Sequence, residues 1–540
     1  MKKRMRVLGL VLAGALCASA CAGCGSNNSS SSAGSTVAAT NENFNKEGLP
    51  IAKNTITLNV LTTRWGSMGD TFTKNQWLVD LEKQTNVKIK WQVQSLNDWS
   101  EQKSIMLASG ELPDIIIGDQ TFTSEDIVNN QDLFQPMDDL IEQYMPNYKK
   151  ALAEYPQIKK VSIFPDGKMY SLAKNLPSRP SVRNQPIINK TWLDKLGLKA
   201  PTTVDELENV LKAFKEKDPN GNGKADELPV IGTNKSLNLN LLDPFMEADP
   251  YDTNFVLESG KPVYKYATAG YKEGVKWLNQ LYKEGLIDTE AFTADDTMDT
   301  AKNQDANTAR VGFTYAWTPD ALFGKWSSQY EAIAPIAGPD GTKRAGGDPD
   351  GYSSITGNEV EITKTCKHPE IAARWVDQFY TNEASIQNFW GAIGTVIKKN
   401  SDGTYELNDP PAGTSADAWY WDQSLRDFGP KYVTKDFQSK IKLSSKSGDG
   451  LKLEISKLGE QYLQKDFFPN NIMHTAEEYA EMPTLATDLG NYANATLAKW
   501  VTKGGVDAEW DAYQKKLKDM GLDKYVKIQS DAYNRYLQAK

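Results

Sequence analysis

A chain of 540 residues is long enough for two or three domains of ordinary size, each with its own core. Its 61 lysines and arginines stand against 70 aspartates and glutamates, a formal charge of −9, which argues against nucleic acid or an anionic membrane surface as partner. Of the four cysteines only Cys366 lies beyond residue 24, so no disulfide can form within the body and the fold must rest on its core.

The first twenty-six residues open with Lys2, Lys3, Arg4 and Arg6, followed by a short apolar run from Val7 to Ala20. The run is too short to span a bilayer and has the layout of a secretory signal. Ala22-Gly23-Cys24-Gly25-Ser26 then resembles the lipobox of bacterial lipoproteins, in which the cysteine is acylated and the signal is cut before it. Cys21, after Ala18-Ser19-Ala20, is the alternative position. Two or more acyl chains give stable anchoring. The expectation is a signal over 1–23, lipidation at Cys24, and a tether over 24–54, of which 26–46 is mostly Ser, Asn, Thr, Gly and Ala with almost nothing to bury. That places the protein on the extracytoplasmic face of the cell membrane.

The body opens with alternation from Thr55 to Leu61, a strand, then a glycine-containing loop and a helix from Trp77. Val87 to Val93 alternates again, Asp98 can cap a helix through Leu107, and Ile115–Ile117 reads as a buried strand ending in Gly118-Asp119. Strand, helix, strand, helix, strand is the rhythm of a mainly parallel sheet, whose ligands sit beyond the carboxyl ends of the strands. The loops after Leu61 and Ile117 are therefore the first candidate sites. A second unit begins near residue 182: a strand at Pro186–Asn189, a short helix closed by Gly197, and a helix capped by Thr202 or Thr203 with Glu206 in capping-box position. Leu207, Val210, Leu211 and Phe214 give that helix its apolar stripe. Further helices are expected near 270–284 and 369–380, a strand at Val311–Tyr315, and mostly helix from about 450.

Between the second unit's long helix and the next strand lies Asp218-Pro-Asn-Gly-Asn-Gly-Lys-Ala-Asp-Glu227. Asp218, Asn220 and Asn222 put side-chain oxygens on alternate residues, and Gly221 and Gly223 let the chain turn, the arrangement a hard cation wants. The start matches an EF-hand loop, but the twelfth position is Pro229, not glutamate.

These segments, with Ala108-Ser-Gly-Glu-Leu-Pro-Asp-Ile-Ile116, Trp192-Leu-Asp-Lys-Leu-Gly197 and Pro201-Thr-Thr-Val-Asp-Glu-Leu207 in this order and spacing, resemble the extracellular solute-binding proteins of ABC importers, family 1. More narrowly, they resemble its large lipoprotein members with a calcium loop. The resemblance covers most of 55–500. It implies an α/β fold of two lobes, each a mainly parallel sheet flanked by helices, with an oligosaccharide held between them and passed to a membrane permease. No catalytic residues are implied. Lobe 1 is expected over 55–175 with 352–400, and lobe 2 over 176–351 with 401–540. In relatives the cation site closes early, which carried over adds the Lys224 carbonyl and the carboxylates of Asp226 and Glu227, for a structural calcium ion. A monomer is expected.

Fourteen tryptophans and twenty-three tyrosines suit stacking on sugar rings, and suit large cores as well. Trp65 lies just beyond the first strand, Trp317 just beyond Val311–Tyr315, and Trp390 in a glycine-rich turn. Trp419 sits in a cluster with Tyr420 and Trp421. Each is a candidate cleft residue with core packing as the alternative. Asp119 can accept bonds from sugar hydroxyls or simply end a turn. Tyr352 lies near the return crossing between lobes. Arg183 lies near the first crossing, but Asn189-Lys190 stands where relatives often have arginine. The competing readings are a secreted glycoside hydrolase, which needs two carboxylates across a cleft, and a surface glycan-binding protein without a transport role. Two histidines far apart in sequence, and no Gly-x-Ser-x-Gly or His-Glu-x-x-His motif, give enzymatic readings little support.

Overall fold

The computed structural model describes residues 42–65, 69–231, 239–351, 353–412, 414, 416–445 and 447–539. Its strands, in chain order, are β1 (Ile56–Arg64), β2 (Val87–Ser95), β3 (Ile115–Ile117), β4 (Leu172–Asn175), β5 (Gln185–Asn189), β6 (Leu228–Val230), β7 (Phe255–Glu258), β8 (Lys261–Tyr264), β9 (Val311–Ala316), β10 (Tyr330–Ala332), β11 (Ile355–Ile362), β12 (Ile397–Lys399), β13 (Tyr405–Leu407) and β14 (Ile441–Lys442). A five-stranded sheet has the order β2-β1-β3-β11-β4, and a four-stranded sheet the order β10-β5-β9-β6.

The first sheet is buried on both faces, and the period-two side-chain geometry shows it. In β3, Ile115 and Ile117 join one apolar cluster with Leu58, Val60, Val360 and Ile362, while Ile116 joins Leu61, Phe122 and Phe134 on the other side. The second sheet is covered in the same way. Ile188 and Phe313 pack with Leu207, Leu211, Phe214, Leu278 and the C-terminal Leu497 and Trp500, whereas Ile187 and Val311 pack with Phe323 and Tyr330. Helix Val204–Glu216 buries its whole expected stripe. Both threonines of its start are used: Thr203 accepts from the Glu206 N–H, and the Glu206 carboxylate reaches back to Thr202. The helix after Asp98 begins without a side-chain cap.

The sheets are mixed rather than mainly parallel. β1 runs parallel to β2 and β3, and β6 parallel to β9. β11 is antiparallel to β3 and β4, and β5 to β9 and β10. The antiparallel members adjoin the passages between the sheets: β4 leaves the first sheet, β5 enters the second, and β11 returns. A strand arriving by such a passage does not need the helical crossover that enforces parallel pairing.

Three passages run side by side. The Arg183 N–H donates to the Gly346 carbonyl, and the Asp348 N–H to the Ser181 carbonyl, so that Val182 and Gly347 pair as an isolated antiparallel bridge. Ala345 in turn pairs in parallel with Leu463, and the Ser456 hydroxyl accepts from the Val182 N–H. A Cβ on Gly347 would lie 2.0 Å from the Ser181 oxygen, so only glycine permits this approach.

Lobe 2 is expected to resume at residue 401, and the chain there builds a further sheet. β12, β13 and β14 form a small third sheet. Tyr405, Tyr420, Val433 and Phe437 share a core with Leu176, Phe389 and Trp390. The Asn175 N–H donates to the Lys431 carbonyl, which joins this segment to the first sheet. The C-terminal helices Ala476–Lys503, Val506–Asp519 and Leu522–Gln538 do pack with the second sheet's core. The free thiol of Cys366 is buried, and desolvation pushes its pKa up to about 12.

Candidate functional site

At the carboxyl end of β1 the chain presents Trp65, 44 % exposed. What holds it there is Arg64, whose side chain points inward. The buried guanidinium donates to the carbonyls of Ser424 (3.0 Å) and Trp421 (2.5 Å) and lies 4.5 Å over the Phe72 ring. Desolvation lowers its pKa to about 10, which leaves it cationic at neutral pH. The contacts fix the 421–428 segment against the strand end. Phe428 then stands between Trp65 and Trp421, its ring centre 6.2 and 6.1 Å from theirs.

The neighbouring strand end carries Asp119. Gly118, with φ +109, packs against Phe428 at a distance where a side chain would be both strained and crowded. The Asp119 carboxylate, partly exposed, pairs with the buried Lys174 ammonium at 3.1 Å. Lys174 also pairs with the wholly buried Glu359 at 2.7 Å and donates to the Asp427 carbonyl at 2.6 Å. Burial alone would lower the Lys174 pKa, but Asp119 and Glu359 outweigh it and raise it. Burial dominates at Glu359 and lifts it to about 7, against the pull of Lys174. Lys431, also buried, donates to the carbonyls of Phe428 and Gly429. Aromatic faces and an anchored carboxylate are thus placed side by side at the ends of two parallel strands.

The second sheet contributes Trp317, half-buried just beyond β9. The Arg179 guanidinium and the Lys452 ammonium lie 5.3 and 4.6 Å from its ring centre. At the adjoining start of β5, Gln185 is fully buried, and neither of its amide atoms has a hydrogen-bond partner among the described residues. Asn184 donates to Asn240, which donates to Asp243. Burial pushes the Asp243 carboxyl up to about 7.

Other expected residues fare differently. Trp390 is 1 % exposed and cannot stack on a ligand: it ends helix Asn382–Trp390 inside the third sheet's core, with its indole N–H donated to Asp449. The glycine-rich turn follows this helix instead of holding the ring. Trp419 is half-buried and packs against the same core. The Arg183 guanidinium is held by the Pro250 carbonyl and by Asp252. Tyr352 and Cys24 lie outside the described residues. Lys174, Phe428, Arg179 and Lys452 had no motif to announce them; a lysine inside the all-buried Leu172–Asn175 strand was the available signal.

In the oxygen-rich loop, Asp218 adopts φ +43, and Gly221 and Gly223 adopt φ +76 and +75. The Asp218 carboxylate accepts from the N–H groups of Gly221, Asn222 and Gly223 at 3.0–3.2 Å. Asp226 accepts from the side-chain amides of Asn220 and Asn222. The Asn222 side-chain oxygen accepts from the Lys224 N–H. Both Glu227 oxygens are buried without a well-formed hydrogen bond among the described residues. Burial raises the Glu227 pKa, with Asp218 and Asp226 adding to it, against the backbone N–H groups of Glu227 and Asn220. Among the described residues no three His, Cys, Asp or Glu side chains are grouped to hold a metal by themselves. A hard cation here would draw on amide and carbonyl oxygens as well, and the unsatisfied Glu227 carboxylate among convergent oxygens fits that chemistry.

A family model for bacterial extracellular solute-binding proteins matches residues 65–386. The fructooligosaccharide ABC transporter substrate-binding protein FusA of Streptococcus pneumoniae serotype 4 is 33 % identical over 477 residues, covering 84 % of this chain and 86 % of FusA. Lipoprotein LipO of Bacillus subtilis is 27 % identical over 355 residues, 62 % of this chain and 65 % of LipO. Among solved structures, an HMO-binding, ABC-transporter-associated solute-binding protein of Bifidobacterium longum infantis matches with a TM-score of 0.79 and 28 % identity, over 89 % of this chain and 99 % of that one. FusA in complex with kestose, and a FusA EF-hand mutant in complex with fructo-nystose, each match with a TM-score of 0.76 and 30 % identity, over 90 % of this chain and all of theirs. The architecture is that of the two-lobed solute-binding proteins, mixed α/β with sheets flanked by helices.

The ion cluster behind the first edge has a measurable consequence. Lys174→Met leaves Asp119 and Glu359 without their cation and is expected to cost about 3–5 kcal/mol in urea unfolding. Adding Glu359→Gln to it should recover part of the loss, and an unchanged midpoint for Lys174→Met would show that the cluster contributes nothing.

Proposed function

Because the chain belongs to the bacterial extracellular solute-binding family, we propose that it captures an oligosaccharide between its two lobes and delivers it to the transmembrane subunits of an ABC importer. The observation that most supports this reading is the pair of strand ends that place exposed Trp65 beside anchored Asp119. Flat apolar faces beside fixed hydrogen-bond acceptors suit pyranose or furanose rings, whose C–H faces are apolar and whose edges are hydroxyls. FusA, similar over most of the chain, binds kestose. Trp317 on the opposite lobe and Trp419 at the margin are the further candidate contacts. Three passages lying side by side give the lobes a common axis about which to close. The family and its relatives are binding proteins, and the proposal includes no bond-breaking step.

Calorimetric titration with a panel of neutral (fructo-, galacto- and gluco-) and acidic (uronate- or sialate-bearing) oligosaccharides should find a ligand that is recovered intact. Trp65→Ala should weaken that ligand at least about tenfold, ~1.4 kcal/mol. Shortened products in the mixture would transfer the protein to the hydrolases.

The loop Asp218–Glu227 is proposed as a structural calcium site with Asp218, Asn220, Asn222, the Lys224 carbonyl, Asp226 and Glu227 as its donors. Bound calcium supplies positive charge to a loop with three carboxylates. The protein side does the rest, since Asp218 closes the turn and the Arg310 side chain donates to the Asp226 carbonyl at the sheet edge. Saturating calcium over chelator should raise stability by about 2–3 kcal/mol at a hundredfold excess over Kd. Glu227→Gln should abolish most of that gain, and a melting temperature indifferent to chelator would remove the site.

The N-terminal segment is proposed to anchor the chain through Cys24, with Cys21 as the alternative. Mass spectrometry of the mature N-terminus should find a diacylated cysteine. In Cys24→Ser the protein should leave the membrane fraction, and retention there would reassign the anchor.

A further inference from the structure

The crossing region contains a buried ammonium with no hydrogen-bond partner among the described residues. It is that of Lys452, fully buried in helix Gly448–Ser456. Its close neighbours are the Trp317 ring, 4.6 Å from the ammonium, and Arg179, a second cation 5.3 Å from the same ring. The helix carries an acid one turn earlier, Asp449, but that carboxylate is already committed. It pairs with Arg426 at 2.9 Å and accepts the Trp390 indole N–H at 3.0 Å. An unpaired buried ammonium is expensive, and one ring face offsets only part of the cost. Accordingly, burial, with Arg179 adding to it, lowers the Lys452 pKa to about 7. The position is not a random interior one. Trp317 follows the carboxyl end of β9, the edge at which α/β sheets bind ligands, and Arg179 lies in the first passage between the lobes.

We propose that Arg179, Trp317 and Lys452 form a subsite for a carboxylate-bearing sugar unit, so that the oligosaccharide this chain takes is an acidic one. The carboxylate would give Lys452 the charge-assisted partner it lacks, and the sugar ring would lie along the indole edge. The proposal deepens the oligosaccharide-binding function and rests on it.

The test uses matched ligands that differ only in the acid: trigalacturonate against its fully methyl-esterified form, and sialyllactose against lactose. In calorimetry on the whole mature chain, the acidic member of at least one pair should bind at least about tenfold tighter than its neutral partner. Lys452→Met should erase that preference while Lys452→Arg keeps it. Lys452→Met should also melt at a higher temperature without ligand, because it removes a buried ammonium, so loss of preference cannot be put down to misfolding. Equal or reversed preference, or a preference that survives in Lys452→Met, overturns the subsite. If only neutral oligosaccharides bind, the acidic subsite fails and the solute-binding function stands. If no glycan of either kind binds, both fail.

Discussion

The backbone pairing of Val182 with Gly347 is the constraint on which the arrangement depends. Two chain segments that travel in opposite directions between the sheets are hydrogen-bonded to one another, and a third lies alongside through Ala345 and Leu463. These bonds run across the direction of travel, so they resist separation and shear of the passages while leaving rotation about their common length less restricted. Trp65 and Asp119 follow strand ends of the first sheet and Trp317 a strand end of the second, while Arg179 lies in the first passage.

Charge is used in a consistent way at the edge of the first sheet. Arg64, Lys174 and Lys431 are all buried and all donate to main-chain carbonyls of the segment from Trp421 to Gly429. Three cations thereby stitch a stretch with little regular structure onto a sheet. The stretch carries Phe428, the ring that sets Trp65 in place. Buried cations of this kind are costly unless their donors are satisfied; carbonyls combined with Asp119 and Glu359 satisfy most of them, leaving the Arg64 Nε without a partner among the described residues. Lys452 has no such set of acceptors among the described residues, which is what separates it from the other three.

Most of the regular structure was legible because it followed from periodicity. The triple isoleucine of β3, the alternation of β1 and β2 and the stripe of helix Val204–Glu216 each carry their burial pattern in the sequence. Strand direction was not legible, since antiparallel entry of β5 and β11 depends on which element the chain crosses from. The hairpin β7–β8 passed unnoticed although Glu258-Ser-Gly-Lys261 between two apolar runs was a turn signal, with Ser259 and Gly260 both at positive φ. The packing partners of the segment after residue 400 are not legible, because its prolines, glycines and serines carry no period. Of the aromatic candidates, Trp65 proved exposed and Trp390 buried, and nothing local distinguishes a tryptophan at a strand end from one at a helix end. The cation loop was readable since its oxygens recur every second residue. The lysines behind the site were not, because their value lies in partners far away in the chain.

The single thiol of the body has a consequence for where and how this protein can work. Cys366 is buried in the first sheet's core, and its pKa of about 12 leaves almost no thiolate at neutral pH. With no second thiol among the described residues to meet it, these residues hold no disulfide for an oxidase or disulfide isomerase to act on. The fold should therefore be equally available in anoxic, thiol-rich surroundings and in aerated ones, an independence from ambient redox poise that disulfide-stapled exported proteins lack.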